Sequence, residues 1–316
     1  MNQRNRCLYC YQPVEGSRDF HEKCSLEFFG SPDPPVLGYT LDQMDELAKN
    51  IVERSITIPG VQPKLSLSLV NKTKENSDAR LTVIGALQGH YVLKPPSEKF
   101  SEMPENEHVT MRVAEAFGIT VVPSSLIRLQ SGHLSYITKR IDRTEEGEKI
   151  HMIDMFQITE AFDKYKGSVE KVGKTLMSYS ANTLLDAVFY FDLVLFSFLF
   201  GNNDMHLKNF SMTEGSSGWV LSPAYDLLNV AIILPEDTEE LALTLAGKKR
   251  KLRREHFDQL ATELKMTTRQ TKAAFNRMVN NRASAYDWIG QSFLTQEMQA
   301  AYIDILESRL AQLGLA

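Results

Sequence analysis

Two rhythms of apolar and polar positions run along this chain. Behind Thr40, the residues Leu41, Met44, Leu47, Ala48, Ile51 and Val52 recur at helical spacing, and the threonine is a natural cap, so a helix is predicted over about 41–53. From Ser55 the period shortens to two. Ile56 and Ile58, then Leu65, Leu67 and Leu69, alternate with Thr57, Lys64, Ser66 and Ser68, which predicts two strand pieces around the turn Pro59-Gly60. Leu81-Thr-Val-Ile84 and Tyr91-Val-Leu-Lys94 continue the sheet, with Gly85 to Gly89 turning between them. Pro104 suits a first helical turn and opens a helix that runs through Phe117 and is closed by Gly118. Strands around Ser124 to Leu129 and Leu134 to Arg140 complete a unit of strands with one helix. Beyond Asp142 the pattern is mainly helical, with helices expected over Val169 to Ser178, Thr183 to Phe200, His256 to Leu264, Thr268 to Asn280 and Gln296 to Leu313. Leu241 to Leu245 alternates like a strand.

With 316 residues, 43% of them hydrophobic and 24% charged, the chain can bury a large core as one bilobal unit or two domains. The most apolar stretch, Ala187 to Phe200, contains Asp192 and falls short of the roughly 18 residues of a membrane span, so it reads as a buried helix. Met1 to Cys7 lack the apolar core of a secretory signal, which makes the cytoplasm the expected location with no membrane partner. A net charge of −5 argues against a dedicated nucleic-acid binder. The three cysteines, Cys7, Cys10 and Cys24, all lie near the start and, with His21, form Cys-x2-Cys-x10-His-x2-Cys. That pairing suits a tetrahedral structural Zn2+ knuckle; the same residues are compatible with a reduced, metal-free turn. The proline-rich run Ser31-Pro-Asp-Pro-Pro35 then ends the small module.

The candidate chemistry lies in Gly201-Asn-Asn-Asp-Met-His-Leu-Lys-Asn-Phe210, where Asp204 and Asn209 have the Asp-x4-Asn spacing of a kinase catalytic loop, followed by Asp226 in Ser222-Pro-Ala-Tyr-Asp226. In that reading Asp204 receives or orients the substrate hydroxyl proton, while Asn209 and Asp226 hold Mg2+ against the phosphates of ATP. Lys94 ends a strand ahead of the helix that carries Glu107, the order in which a phosphate-binding lysine and its orienting glutamate occur. His206 reads as an orienting or packed residue, and Lys208 as a cation for the transferring phosphoryl group. Asp and Asn are also common turn and cap residues, and the spacing by itself says little; the apolar helix before it and the apolar strand after it give it weight. There is no glycine triad ahead of Lys94, so only Gly60, between Pro59 and Pro63, is placed for a phosphate-covering turn.

Several of these motifs together resemble the HipA family of serine/threonine kinase toxins, and most of all its shorter HipT form. The similarity is carried by Ser55 to Leu65, Tyr91 to Pro95, Glu105-Asn-Glu-His108, Thr138 to Arg143, Met155-Phe-Gln157, Gly201 to Phe210 and Tyr225-Asp226. The resemblance implies an α+β, bilobal protein-kinase-like fold of the HipA and PI3/4-kinase type: a Cys/His knuckle over 1–30, a small mixed N-lobe over 31–141 and a mainly helical C-lobe over 142–316. It implies that Lys94, Asp142, Gln157, Asn209 and Asp226 contact ATP or magnesium, that Lys139 and Ile141 flank the adenine, and that Asp204 is catalytic. It also implies autophosphorylation in the phosphate loop, at Thr57 or, since a second serine is replaced by Pro59, at Ser55. A HipS-like neutralising protein, a HipB-like helix-turn-helix partner that contacts DNA, and an aminoacyl-tRNA synthetase as protein substrate complete the expectation. A kinase-fold corepressor or scaffold is the alternative from another class, and a small-molecule phosphotransferase a third. The run Lys248-Lys-Arg-Lys-Leu-Arg-Arg254 reads as a solvated loop or as a docking surface for an acidic or nucleic-acid partner.

Overall fold

The structure is a computed structural model that describes residues 5–54, 64–70, 79–83, 89–144 and 146–316. Ser55, Thr57 and Gly60, with the strand expected around Ile56 and the turn at Gly85, lie outside the described residues. The chain divides into two compact units: Met1–His108 with Val122–Glu148 and Gln291–Phe293, and Val109–Val121 with Lys149–Gly290 and Leu294–Ala316.

The first unit holds α1 (Glu22–Phe29), α2 (Leu41–Arg54), β1 (Leu65–Val70), β2 (Arg80–Val83), β3 (Tyr91–Lys94), the start of α3 (Met103–Ala116), β4 (Ser124–Arg128) and β5 (Leu134–Lys139). Its five strands form one antiparallel sheet in the order β2-β1-β3-β5-β4. Period-two patterning sends Leu65, Leu67, Leu93, Leu126 and Ile137 into the core, where all five are fully buried. Register sets Lys94, the last residue of β3, opposite Tyr136 of β5. α3 opens at Met103, next to the Pro104 read as its first turn, and it ends ahead of Gly118, whose φ of +81° suits glycine at a helix stop.

The second unit contains β6 (Met152–Asp154), α4 (Met155–Ile158), α5 (Val169–Tyr179), α6 (Thr183–Leu199), β7 (Ser211–Gly215), β8 (Gly218–Leu221), α7 (Arg254–Glu263), α8 (Thr268–Asn280), α9 (Arg282–Gln291) and α10 (Gln296–Gln312). β6, β7 and β8 form a three-stranded antiparallel sheet in chain order. α6 is the centre of this unit: Leu193 to Phe200 are all buried, as a helix apolar on every side requires. Its two acids are both engaged. Asp186 accepts hydrogen bonds from Ser180 Oγ (2.6 Å) and the Leu221 amide (2.8 Å), and Asp192 meets Arg277 of α8 at 2.5 Å.

The helix boundaries fall within two residues of those expected from periodicity. The strand expected over Leu241–Leu245 does not form. Leu241, Ala242, Leu243 and Leu245 are all buried, so the segment is covered on both sides and its alternation reflects no exposed face; it makes only single bridges, Thr244 to Ser168 and Leu245 to Lys248. Two of the six basic side chains in the run that follows are paired with acids, Lys249 with Glu239 (3.0 Å) and Arg254 with Asp258 (3.3 Å). Among the described residues no helix is long and apolar enough to cross a membrane.

Candidate active site

In the second unit the chemistry-bearing segment starts where α6 stops. Gly201 has φ +66°, and a Cβ there would lie 2.5 Å from Asn229 Oδ1, 3.0 Å from Ile305 Cγ2 and 3.1 Å from Ala231 Cβ, so only glycine fits. The chain then turns sharply, with the Asn202 amide on Ser197 O (2.8 Å) and the Gly201 carbonyl accepting from the Ala231 amide (3.0 Å). Asn203 anchors the loop from one side by donating to Asp237 Oδ2 and to Glu239 O, both at 3.1 Å. Asn209, in a single 3-10 turn over Leu207–Asn209, donates its side-chain amide to the Asp204 carbonyl at 3.1 Å, closing Asp-x4-Asn into one loop. Tyr225 donates to Lys208 O (2.9 Å) and shares a short hydrogen bond with Ser211 Oγ, which ties the segment carrying Asp226 to the same loop. Asp226 itself takes φ +59°, a left-handed backbone uncommon outside glycine and more accessible to aspartate than to most residues. The side-chain oxygens of Asp204, Asn209 and Asp226 are the donor type that a hard divalent cation selects.

Asp204 has a neighbour that the sequence did not announce. Tyr165 donates its hydroxyl to Asp204 Oδ1 at 2.8 Å and lies edge-on to His206 with ring centroids 5.2 Å apart. Burial, together with the Asp204 charge, raises the Tyr165 phenol well above its ordinary value, so it stays a donor at any physiological pH. Nothing in a stretch such as Asp163-Lys-Tyr-Lys166 signals that contact, because 39 residues separate the partners. His206 is buried, whereas Lys208 is exposed and holds its ammonium 4.7 Å from the centre of the Phe156 ring. Gln157 closes a capping box at the start of α4, accepting from the Asp154 amide while its own amide bonds Asp154 Oδ1.

In the first unit, Lys94 Nζ and Glu107 Oε1 are 2.6 Å apart, with only 5% and 2% of the two residues exposed. A buried pair this close is held by strong Coulomb attraction in a poorly polarisable setting. The Lys94 ammonium also lies 5.4 Å from the centre of the Tyr136 ring. Asp142 is clamped by an arginine on either side: Arg140, two residues earlier, binds it through two hydrogen bonds (2.8 and 2.7 Å) and Arg143, the next residue, through a third (2.7 Å). Burial alone would raise the Asp142 carboxyl, but the two guanidinium groups outweigh it and hold it below its ordinary value. Lys139 lies 5.8 Å from the Phe28 ring centre, and Ile141 is half-buried beside it in sequence.

The same unit brings Cys7, Cys10, His21 and Cys24 together, with all four potential ligand atoms within 4.8 Å of one another. A hydrogen bond from Cys10 pulls the Cys7 thiol down to about 4, the same bond pushes Cys10 up, and burial with the Cys7 charge raises Cys24 to about 11. Three sulfurs and one imidazole are a donor set that suits a tetrahedral Zn2+.

Residues 56–286 match the profile of the HipA-like C-terminal domain. The chain is 30% identical over 227 residues to Y4dM of Sinorhizobium fredii, provisionally named a kinase, covering 67% of this chain and 54% of that one. It is 26% identical over 206 residues to the serine/threonine-protein kinase toxin HipA of Shewanella oneidensis, covering 58% of this chain and 45% of that one. It thus spans about half the length of these relatives. Among solved structures, Shewanella oneidensis HipA in a complex with HipB and operator DNA superposes with a TM-score of 0.67 at 20% identity, covering 81% of this chain and 65% of that one.

Proposed function

This chain belongs to the HipA-like C-terminal domain family, and from that premise we propose that it is an ATP-dependent serine/threonine protein kinase toxin of the short HipT form. The observation that supports this most is the buried Lys94–Glu107 pair. A lysine at the end of the third strand, met at 2.6 Å by a glutamate of the following helix, is the pairing a kinase uses to hold ATP phosphates. We read residues 1–30 as a knuckle, 31–141 as the N-lobe and 142–316 as the C-lobe.

In this reading Lys94 engages the phosphates and Glu107 orients it, while Asn209 and Asp226 supply the oxygen ligands for magnesium. Magnesium, when bound, neutralises charge on the β- and γ-phosphates. Asp204 accepts or orients the proton of the attacking hydroxyl, and Lys208 offsets charge on the phosphoryl group in transfer; His206 packs behind them. Lys139, Ile141, Asp142 and Gln157 supply the remaining nucleotide contacts. Since both Asp142 oxygens are held by arginines, its part is to fix the segment next to the adenine rather than to bind metal. Thr57 or Ser55 is the site of autophosphorylation, and Gly60 lends its amide to the phosphates. The substrate is a serine of a translation enzyme of the aminoacyl-tRNA synthetase type. The protein acts in the cytoplasm, neutralised by a HipS-like protein and bound to a HipB-like partner through which alone it meets DNA. The named assembly of the Shewanella protein with HipB and operator DNA favours the last of these, and it also keeps a corepressor role alongside the enzyme.

The test is transfer of labelled γ-phosphate from ATP to a panel of purified synthetases, wild type against Asp204→Asn. The variant is expected to keep ATP binding and lose transfer and growth arrest. Undiminished toxicity in Asp204→Asn would remove Asp204 from the chemistry and leave the corepressor reading.

A further inference from the structure

We propose that the Cys7, Cys10, His21 and Cys24 cluster holds one Zn2+ whose role is to brace both elements that carry the Lys94–Glu107 pair; the bracing role rests on the kinase reading, the metal site does not. Two of the donor spacings already match those of a zinc tetrahedron, and all four donor atoms lie within 4.8 Å of one another. Zinc bonds of about 2.3 Å to sulfur and 2.0–2.1 Å to nitrogen put neighbouring sulfur and nitrogen about 3.6 Å apart at tetrahedral angles. His21 Nδ1 lies 3.4 Å from Cys10 Sγ and 3.7 Å from Cys24 Sγ. The imidazole is set for this: its Nε2 is 2.8 Å from the Pro13 carbonyl, which can only accept, so Nε2 bears the hydrogen and Nδ1 presents its lone pair to the sulfurs. Tyr11, directly after the second cysteine, takes φ +62°, and its amide donates to Cys7 O at 2.9 Å, closing the Cys-x2-Cys turn.

Two paths lead from this cluster to the ion pair. Tyr11 is 1% exposed, and its hydroxyl meets His108 Nδ1 at 2.7 Å. His108 is the residue after Glu107 on α3. On the other side, α1 begins beside the ligand His21 and contains the ligand Cys24; its Phe28 and Phe29 pack on Tyr91 of β3, with ring centroids 5.9 and 6.2 Å apart. Tyr91 is three residues before Lys94 on that strand. Without the ion, nothing covalent fixes the turn that aims Tyr11, and a small misplacement of a positioning group lowers turnover by up to about a hundredfold.

Metal analysis of the full chain purified without chelator is expected to give about one zinc per chain, falling below about a tenth in Cys10→Ser. Tyr11→Phe is expected to keep its zinc and its melting temperature within a few degrees. It should nevertheless speed backbone amide exchange in the first turns of α3 and lower kcat for phosphate transfer about tenfold, with the KM for ATP little changed. Removing zinc from the wild type should speed the same amides. Wild-type protein with less than about a tenth of a zinc per chain overturns the site. A zinc-loaded Tyr11→Phe whose exchange matches wild type overturns the brace. If zinc and exchange behave as expected while the wild type transfers no phosphate at all, the kinase reading fails and the metal site stands.

Discussion

Replacing Glu107 by Gln keeps its shape and removes its charge, taking from the buried Lys94 ammonium the carboxylate that meets it at 2.6 Å. Breaking a buried pair from one side costs about 3–5 kcal/mol, because the surviving charge has already lost its water. A ceiling follows from chemistry. A lysine with an ordinary pKa of about 10.4 can be neutralised at pH 7 for about 4.6 kcal/mol, so no larger penalty persists. The Tyr136 ring, 5.4 Å away, returns about 1 kcal/mol. The expected loss is therefore about 2–4 kcal/mol, a large part of a typical stability of about 5–15 kcal/mol. Urea unfolding of the full chain measures it. If Lys94 responds by giving up its proton in the folded variant, the unfolded chain binds the extra proton and the deficit shrinks with rising pH, by up to about 1.4 kcal/mol per unit between pH 7 and 9. The double variant Lys94→Met with Glu107→Leu should regain most of the stability while remaining unable to transfer phosphate, since two apolar groups fill the same space with no charge to bury. A Glu107→Gln deficit below about 1 kcal/mol, unchanged over that pH range, would refute the picture of a desolvated pair.

Gly201→Ala should lose at least about 2 kcal/mol, because a left-handed backbone and a Cβ 2.5 Å from the buried Asn229 side chain act together; a urea midpoint equal to wild type would contradict the packing described. Burial pushes the Glu105 carboxyl from 4.5 up to about 7. With the folded value raised, its stabilising contribution is complete below about pH 4.5 and is lost as pH rises through about 7. Glu105→Gln should thus flatten the melting temperature between pH 5 and 7.5 and raise it at pH 8, and an unchanged slope would clear Glu105 of that role. Arg277→Met removes the partner of Asp192, whose carboxyl burial already raises, so it should cost about 1–3 kcal/mol at pH 7 and less at pH 5; thermal melts at the two values decide.

The elements were legible where a single rhythm ruled. α2, α3, α8 and α10 follow from spacing and caps, and β1, β3 and β5 from alternation, because each has one covered face. α1 and α9 escaped, one hidden among the metal-type residues and the other weakly amphipathic in Arg282–Gln291; the short strands β6 and β8 offer too few positions to show a period. The Leu241–Leu245 segment misled because alternation implies a strand only when the polar positions are wet, and here the intervening Ala242 is buried too. In the site, Asp204, Asn209 and Asp226 could be picked out because they lie close in sequence. Tyr165 on Asp204, Tyr11 on His108 and the arginine clamp on Asp142 are products of tertiary folding, and only the last had its members adjacent in the sequence.

The burial of the C-terminal half of α6 on every side also bears on how this protein must be made. Until α7, α8 and α10 are available to cover it, the stretch from Ala187 to Phe200 is a sticky segment rich in aromatic residues and leucine, interrupted by one charge, Asp192. Those covering helices lie 55 to 113 residues beyond its end, so a nascent chain exposes α6 for most of the synthesis of its second unit. Asp192 then serves twice, as a gatekeeper against self-association before folding and as the anchor for Arg277 afterwards.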